Sequence, residues 1–331
     1  MKIAIISDFN IAGQPTALCR AINKYTEHQA RCIIGYDDSF AYDKDIILQD
    51  NPTGQKEAAE WVRESDFFHF GRGIFNWPGV DWNKDGLINN RNCVVKYYGS
   101  ELRNNWERIK AWHERTRIFA ITGTDWSITG RLLNSFNHLG SYFTKYGDME
   151  YSHIPICQVR GEGPLRICAG SAGSPMKGYD FLHQVIHELQ EDGARVELDI
   201  LSGMSNEKCL ERKLESQVTF TSLHGAWGIS GIESMLMGHV VMSCLDPWIL
   251  SHYPENPTMM INRGNLKGVI KQLIRFSDNA LDGLGSASSK FAYTNFNTKV
   301  ILKRYLYLFD LIMNHEEYLG GENNPKYIYG F

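Results

Sequence analysis

The sequence lacks the marks of a membrane protein, of a disulfide-stabilised protein and of a polyanion-binding protein. No apolar run approaches the roughly 20 residues of a membrane-spanning helix, and the first residues show neither the apolar segment nor the cleavage site of a signal peptide. The seven cysteines are scattered without a C-x-x-C pair, which favours small buried hydrophobes in a reducing compartment. The formal net charge of −4 provides no general attraction to nucleic acid or to anionic membrane. We therefore expect a soluble protein of the cytoplasm.

Several motifs for cofactors and metals are missing too. The first strand-to-helix loop, from Asp8 to Gly13, lacks the G-x-G-x-x-G pattern of dinucleotide-dependent oxidoreductases. No D-x-D triplet follows a strand, where a metal-bound diphosphate would need it, and no cluster of histidine and cysteine offers metal ligands. These absences predict a protein that uses neither a metal ion nor a cofactor.

The length and the periodicity predict the architecture. A chain of 331 residues is longer than single cores usually grow, so two domains are expected. Apolar β-rich runs alternate with segments of helical periodicity, which predicts parallel sheets covered by helices. The periodicity fades over 151–163, which we interpret as a linker. The expected fold is α/β, with two doubly wound, Rossmann-like domains at 1–150 and 164–287 that face each other across a cleft, followed by a C-terminal helix and tail at 288–331.

The same patterns predict the individual elements. In the first half, we expect strands at 2–7, 31–35, 67–70, 93–98 and 118–122 and helices around 17–22 and at 104–117. In the second half, we expect strands at 165–169, 196–200, 218–220 and 239–244 and helices at 177–189, 206–214, 266–276 and 288–313.

The segment from Gly225 to Met242 carries the most specific signal. A glycine-bearing loop leads into a short helix, which we expect to hold Glu233 in its first turn and to stop at Gly238 before a β-branched strand. The first N–H groups of a helix have no intrahelical partner and the helix dipole is positive there, which suits a phosphate. A carboxylate nearby suits the hydroxyls of a ribose. The segment therefore predicts a nucleotide-binding site late in the chain.

Two earlier segments extend this site and carry a family resemblance. The three segments, in chain order, are Gly173 to Gly178 with Lys177, Leu201 to Gly203, and Gly228 to Val241. Together they resemble the donor-binding half of GT-B glycosyltransferases, and most of all the family 4-like retaining enzymes. The loop from Asp8 to Gly13, the segment from Tyr98 to Arg103 and the last helix resemble other parts of the same enzymes. The resemblance implies transfer of a sugar from a nucleotide-sugar to an acceptor hydroxyl, with retention of the anomeric configuration.

The resemblance also implies roles for particular residues. Lys177 stabilises the negative charge that develops on the departing diphosphate, Glu233 binds the ribose hydroxyls and Tyr98 faces the donor sugar, so these three are the implied catalytic residues. The implied donor site comprises Gly13, Gln14, Ser171, Lys177, Gly203, Gly228, Ile229, Ser230, Gly231 and Glu233. The implied acceptor side comprises His69, Arg72, Ser100 and Arg103.

The chain departs from the family pattern at four of its positions. Gly225 stands where a second glutamate is common, Ser171 where an arginine is common, Tyr98 where a histidine is usual, and His239 where a proline precedes the strand. These changes affect contacts to the sugar more than contacts to the nucleotide. We hypothesise that Arg72 supplies the positive charge that is absent at Ser171.

Basic and aromatic side chains alternate between Arg103 and Arg117. Such a composition suits a polyanion or stacked rings. Glutamates interrupt the basic residues, however, so an ordinary helix face with i,i+4 ion pairs is the favoured interpretation.

The expected function is that of a hexosyl- or pentosyltransferase with a UDP- or GDP-linked sugar as co-substrate. The expected acceptor is a glycan or a lipid-linked saccharide. A hydroxymethylated base in DNA is a narrower alternative, because some virus-encoded GT-B enzymes modify such bases, and the protein would then act in the host cytoplasm. A GT-B-like nucleotide-sugar epimerase and a non-catalytic nucleotide-sugar-binding protein stay open as alternatives, and so does the oligomeric state.

Overall fold

The computed structural model describes residues 1–36, 45–97, 104–122, 135–137, 142–170 and 177–314. The chain divides into two compact units, Met1–Ser141 with Ile301–Phe331, and Tyr142–Val300. The first unit ends before the boundary placed at residue 150 from the sequence, and the second extends past the one placed at 287. In the described part of the chain, no helix is long and apolar enough to cross a membrane.

The first unit is built on a parallel sheet. Its strands are β1 (Lys2–Ser7), β2 (Gln29–Ile34), β3 (Ile46–Ile47), β4 (Phe67–Gly71), β5 (Cys93–Tyr97), β6 (Phe119–Thr122) and β7 (Ser135–Asn137). They lie in the order β3-β2-β1-β4-β5-β6-β7. β4 and β5 are buried along their whole length, as expected for strands that are apolar on both faces. The strand order reverses between β1 and β4, and doubly wound sheets bind ligands at the carboxyl edge of such a switch point.

Helices of the first unit pack their apolar sides on this sheet. They are α1 (Gln14–Tyr25), α2 (Pro52–Arg63), α3 (Trp82–Asp85) and α4 (Trp106–Thr116). α2 begins after Asn51, whose side chain accepts a hydrogen bond from the Gly54 N–H at 2.9 Å, and Pro52 follows where the missing N–H costs nothing. In the core, Trp82 meets the rings of Phe68 and Phe70 edge-on at centroid distances of 5.4 and 5.0 Å.

The second unit has a smaller parallel sheet. Its strands are β8 (Leu165–Gly170), β9 (Val196–Leu201), β10 (Val218–Ser222), β11 (Val240–Ser243) and β12 (Met259–Met260). They lie in the order β12-β11-β10-β8-β9. The first strand of the unit, β8, therefore lies between β9 and β10, and the switch point of this sheet falls between β8 and β10. Both sheets are thus doubly wound, as the sequence predicts.

Helices of the second unit connect these strands and close the core. They are α5 (Tyr179–Glu191), α6 (Asn206–Lys213), α7 (Gly228–Leu236), α8 (Pro247–His252), α9 (Leu266–Arg275) and α10 (Asp278–Phe296). Leu182, Ile186 and Leu189 of α5 pack with Ile270 and Leu273 of α9 in this core.

The helix predicted at 288–313 is wrong as a single element. α10 ends at Phe296, and a second helix, α11, spans Thr298–Asn314. Asn297 between them has extended backbone with φ −66° and ψ 157°, and its side chain accepts a hydrogen bond from the Val300 N–H at 3.0 Å. Asn297 is therefore the N-cap of α11, and such a side-chain bond competes with continuation of the preceding helix. From Ile301 onward the chain belongs to the first unit.

Candidate functional site

The switch point of the second unit brings two loops into close contact. β8 ends at Gly170, and the described chain resumes at Lys177, whose carbonyl accepts a hydrogen bond from the N–H of Leu223, just after β10, at 3.0 Å. Gly178 has φ +80°, and a Cβ there would lie 2.6 Å from Cδ1 of Leu223. Only glycine fits both the backbone conformation and the space at this position. Lys177 is thereby held at the carboxyl edge of β8 and β10.

The first turn of α7 lies at the same edge. A Cβ on Gly170 would lie 2.7 Å from Oγ of Ser230, and a Cβ on Gly231 would lie 2.9 Å from Cγ2 of Thr221 in β10. The glycines therefore allow the start of the helix to approach the ends of both strands. Gly228 begins the helix with φ +62°. The N–H groups of Gly228, Ile229 and Ser230 belong to the turn that has no intrahelical acceptors, which makes it suitable for an anion.

Trp227 anchors the loop before this helix. Its side chain is buried, and its indole N–H donates a hydrogen bond to Oγ1 of Thr258 at 2.7 Å. The ring also packs against Tyr253, Phe291 and Phe296 at centroid distances of 5.7 to 5.9 Å. A buried aromatic ring with a satisfied N–H fixes its segment well. The helix start is therefore attached to the core of the second unit rather than exposed on a free loop.

Glu233 lies in the second turn of α7, not in the first as the sequence led us to expect. The helix begins at Gly228, and no acidic residue lies in its first turn. The Glu233 carboxylate is buried beside Lys213, with Nζ 3.3 Å from Oε2, and accepts from the Asn206 amide at 3.4 Å. Lys213 also donates to the carbonyl of Ser230 at 3.0 Å. Lys213 and Asn206 were not predicted from the sequence. Both lie on α6, which precedes Glu233 along the chain by 20 residues or more.

Lys177 is a half-buried cation without a carboxylate counterion among the described residues. Its Nζ lies 5.9 Å from the ring centroid of Tyr179, and the Tyr179 hydroxyl donates to the carbonyl of Gly170. Burial lowers the pKa of the Lys177 ammonium from its ordinary value, because the charged form loses hydration. An anionic ligand would restore the interactions that this ammonium lacks.

Two other predicted donor residues belong to the second unit, Gly203 and Ser171. Gly203 follows β9 with φ +67°, and no heavy atom lies within 4 Å of a Cβ built there. It therefore lies at the same carboxyl edge beside open space. Ser171 lies outside the described residues.

Gly13 and Gln14 lie at the start of α1 in the first unit. Gly13 has φ +68°, and Ala12 before it has φ +49°. The Gln14 side chain is buried, and its amide donates to the Ala12 carbonyl at 3.3 Å. The loop is therefore a tight turn that Gln14 braces from inside.

His69 lies in the interior of the first unit. It is 3% exposed, and its ring packs against Tyr305 and Phe309 of α11 at 5.7 and 6.2 Å. Burial, with a smaller contribution from Lys96, lowers the pKa of His69 to about 3. Neither ring nitrogen has a hydrogen-bond partner among the described residues. The neutral ring thus serves as part of the core beneath α11.

Arg72 follows β4 at the switch point of the first sheet. Its backbone is left-handed with φ +70°, and its Nη1 lies 3.3 Å from Oδ2 of Asp8. The idea that it compensates for Ser171 stays a prediction. Tyr98, Ser100 and Arg103 lie outside the described residues.

The basic and aromatic helix α4 has the geometry of an ordinary amphipathic helix. Trp106 and Trp112 pack against the core of the first unit, and Lys110 lies 3.9 Å from Glu114 one turn later. The i,i+4 interpretation of this segment is therefore confirmed for this pair.

Neither a protein-family model nor a curated protein sequence matches the chain, but solved structures do. An alpha-glucosyltransferase in complex with UDP and a 13-mer DNA containing a central A:G mismatch is 12% identical with a TM-score of 0.57, over 94% of this chain and 100% of that chain. The catalytic domain of starch synthase IV from Arabidopsis thaliana, bound to ADP and acarbose, is 10% identical with a TM-score of 0.56, over 95% and 99%. HepE from Anabaena in complex with UDP-glucose is 11% identical with a TM-score of 0.53, over 94% and 99%. The chain has the GT-B fold.

Within this GT-B fold, the second unit brings together five of the predicted donor residues at one sheet edge. They are Lys177, Gly228, Ile229, Ser230 and Gly231. Glu233 lies one turn further along the same helix, and Gly203 follows the neighbouring strand. Among the described residues, no group of three or more histidine, cysteine, aspartate or glutamate side chains is placed to hold a metal ion.

Proposed function

We propose that the protein is a glycosyltransferase that takes its sugar from a nucleotide-sugar donor. The observation that carries this proposal is the half-buried ammonium of Lys177, without a carboxylate partner among the described residues, at the sheet edge where α7 begins. A diphosphate fits this place, because it supplies the negative charge that both the ammonium and the helix terminus favour. The nucleotides named in the similar structures, UDP and ADP, carry such a group.

In the proposed reaction, the chain acts mainly through electrostatics. The bond between the anomeric carbon and the diphosphate breaks, and negative charge grows on the departing oxygen, where Lys177 and the first N–H groups of α7 stabilise it. The acceptor hydroxyl forms the new bond and gives its proton to the diphosphate oxygen. Transfer with retention, without a metal ion and in the cytoplasm, is part of the proposal.

Glu233 is proposed to bind the ribose of the donor. An ionised carboxylate offers about four lone-pair positions. Lys213 and Asn206 each take one of them, which leaves positions for the two hydroxyls of a ribose. The ion pair with Lys213 holds the carboxylate in a fixed orientation.

The proposed acceptor is a hydroxyl of a glycan or of a lipid-linked saccharide. A modified base in DNA is the second candidate, and the observation that favours it is the similarity to an alpha-glucosyltransferase solved with DNA.

The test is release of nucleoside diphosphate from a panel of UDP-, GDP- and ADP-linked sugars, with and without glycans and hydroxymethylated DNA. We expect one donor to be consumed, turnover to survive EDTA, and Lys177→Met to lower turnover about 100-fold, as for loss of one group that stabilises the transition state. Lys208→Met, at an exposed lysine of α6, is the matched control.

NMR of the recovered nucleotide-sugar and calorimetric titration with the intact donor distinguish the rival functions. An isomerised nucleotide-sugar without release of nucleoside diphosphate would identify an epimerase, and binding without any turnover would identify a non-catalytic protein. The anomeric configuration of the product, read by NMR, tests retention. Isomerisation without release of nucleoside diphosphate, or binding without turnover, contradicts the proposal.

A further inference from the structure

Two exposed aromatic rings lie together at the carboxyl edge of the first sheet. Phe9 follows β1 and Tyr36 follows β2, and their ring centroids lie 5.5 Å apart with the planes inclined by 31°. Phe9 is 36% exposed and Tyr36 is 52% exposed. Two exposed aromatic rings in contact form an apolar patch that water solvates poorly. This patch lies at the carboxyl edge of the sheet near its switch point, where doubly wound sheets bind ligands.

A charged pair borders these rings. Asp8 accepts a hydrogen bond from the Phe9 N–H at 2.9 Å and lies 3.3 Å from the Arg72 guanidinium, which in turn lies 5.5 Å from the Phe9 ring centroid. Arg72 adopts its left-handed backbone at φ +70°, a conformation that is uncommon for a residue other than glycine and concentrates at binding sites. Three loops, after β1, β2 and β4, thus contribute to one surface. We call it the ring platform, made of Asp8, Phe9, Tyr36 and Arg72.

The chemistry of the ring platform fits a neutral sugar. An aromatic face packs on the C–H face of a pyranose, while a carboxylate and a guanidinium accept and donate hydrogen bonds to its hydroxyls. Asp8 balances the charge of Arg72, so the platform offers no net attraction to a phosphate backbone. A polyanionic acceptor is therefore disfavoured relative to an uncharged carbohydrate.

We propose that the ring platform binds a neutral pyranose ring of the acceptor, an inference that rests on the proposed function and selects a glycan over DNA as its acceptor.

The experiment combines ligand binding with turnover. Saturation-transfer difference NMR, run without donor, measures binding of maltose and of the methyl glycosides of glucose, galactose, mannose and N-acetylglucosamine. The variants are Phe9→Ala and Tyr36→Ala, two separate changes at exposed rings. Tyr151→Ala is the matched control, because Tyr151 is a 44% exposed tyrosine of the second unit that also contacts a neighbouring ring. Transfer of the donor sugar to water is measured on the same proteins.

We expect at least one of these sugars to bind the wild-type protein. The same sugar should bind each platform variant about tenfold more weakly, because each variant removes one ring on which the sugar stacks. Tyr151→Ala should bind as the wild type does. Transfer to water, and its KM for the donor, should change less than twofold in every variant. Unchanged sugar binding in both platform variants, or no binding of any of these sugars to the wild type, overturns the inference.

Two further outcomes separate the inference from the proposed function. A rise in the KM for the donor in the platform variants would assign the rings to the donor sugar and would overturn the acceptor assignment. If the wild type consumes no nucleotide-sugar, the proposed function fails, whereas loss of sugar binding in both variants still supports a sugar site on the platform.

Discussion

Lys213 and Glu233 form an ion pair inside the second unit, with Nζ 3.3 Å from Oε2 and side chains that are only 2% and 6% exposed. The same ammonium donates to the Ser230 carbonyl at 3.0 Å. One buried cation thus fixes both the first turn of α7 and the carboxylate in its second turn. The positions of the proposed phosphate and ribose contacts therefore depend on a residue of a different helix.

Removal of Lys213 should destabilise the protein strongly. Lys213→Met leaves the Glu233 carboxylate buried without its partner, and we expect the free energy of unfolding to fall by about 3–5 kcal/mol. The double variant Lys213→Met/Glu233→Met should recover most of the loss, because no buried charge remains. Urea denaturation followed by circular dichroism measures both values.

An exposed ion pair provides the control for this prediction. Lys267 lies 2.9 Å from Glu188, with side chains 38% and 40% exposed. Lys267→Met should therefore cost less than about 1 kcal/mol. An equal loss in the free energy of unfolding for Lys213→Met and Lys267→Met would show that the buried Lys213–Glu233 pair contributes no more to stability than an exposed pair.

Two glycines of α10 should respond in opposite ways to alanine. A Cβ on Gly285 would lie 3.0 Å from the Gly238 carbonyl carbon and nearer still to its oxygen, whereas nothing lies within 4 Å of a Cβ on Gly283. Gly285→Ala should force α10 away from the end of α7 and destabilise the protein by about 1–3 kcal/mol. Gly283→Ala should stabilise it by up to about 1 kcal/mol through helix propensity. Thermal unfolding measures both, and a stabilising Gly285→Ala would contradict the close packing.

His69 should make the first unit sensitive to acid. Its native pKa is lowered to about 3 from 6.5, so the unfolded state binds the additional proton between these pH values. Stability from this source is present above pH 6.5 and declines by about 1.4 kcal/mol per pH unit as the pH falls towards 3. His69→Leu should remove this part of the decline.

The measurement for His69 is urea denaturation of wild type and variant at pH 8, 6 and 4. The stability difference in favour of His69→Leu should grow from pH 6 to pH 4. A difference that is constant over this range would mean that the native ring takes up a proton as readily as the unfolded chain.

The sequence predicts most of the sheets because buried parallel strands are continuous apolar runs. Ile3 to Ile6 is such a run and forms a strand, and so does the run from Phe67 to Phe70, which only His69 interrupts. The strands β3 and β12 have two residues each, too few for any periodicity. Helix α2 begins with a recognisable local pattern, since Asn51 and Pro52 form a typical helix start.

The part of the candidate site that lies within one continuous segment of the chain was predictable from the sequence. The glycines and the helix start near Ser230 follow each other along the sequence, so the local pattern indicates them. Lys213 and Glu233 are 20 residues apart on different helices, and a basic residue at the end of α6 is also favourable for the helix dipole. Only the packing of α6 against α7 distinguishes this lysine from an ordinary surface residue.

Titration of the protein with UDP, GDP and ADP in a calorimeter tests the diphosphate site at Lys177 most directly. We expect one of these nucleotides to bind the wild type. Lys177→Met should weaken binding about 10- to 100-fold, because a hydrogen bond to a charged group contributes about 1.5–3 kcal/mol. Lys177→Arg should retain part of the affinity. Lys208→Met should bind as the wild type does. Equal affinity of the wild type and Lys177→Met, or no binding of any of the three to the wild type, would contradict a nucleotide-sugar site at the edge of β8 and β10.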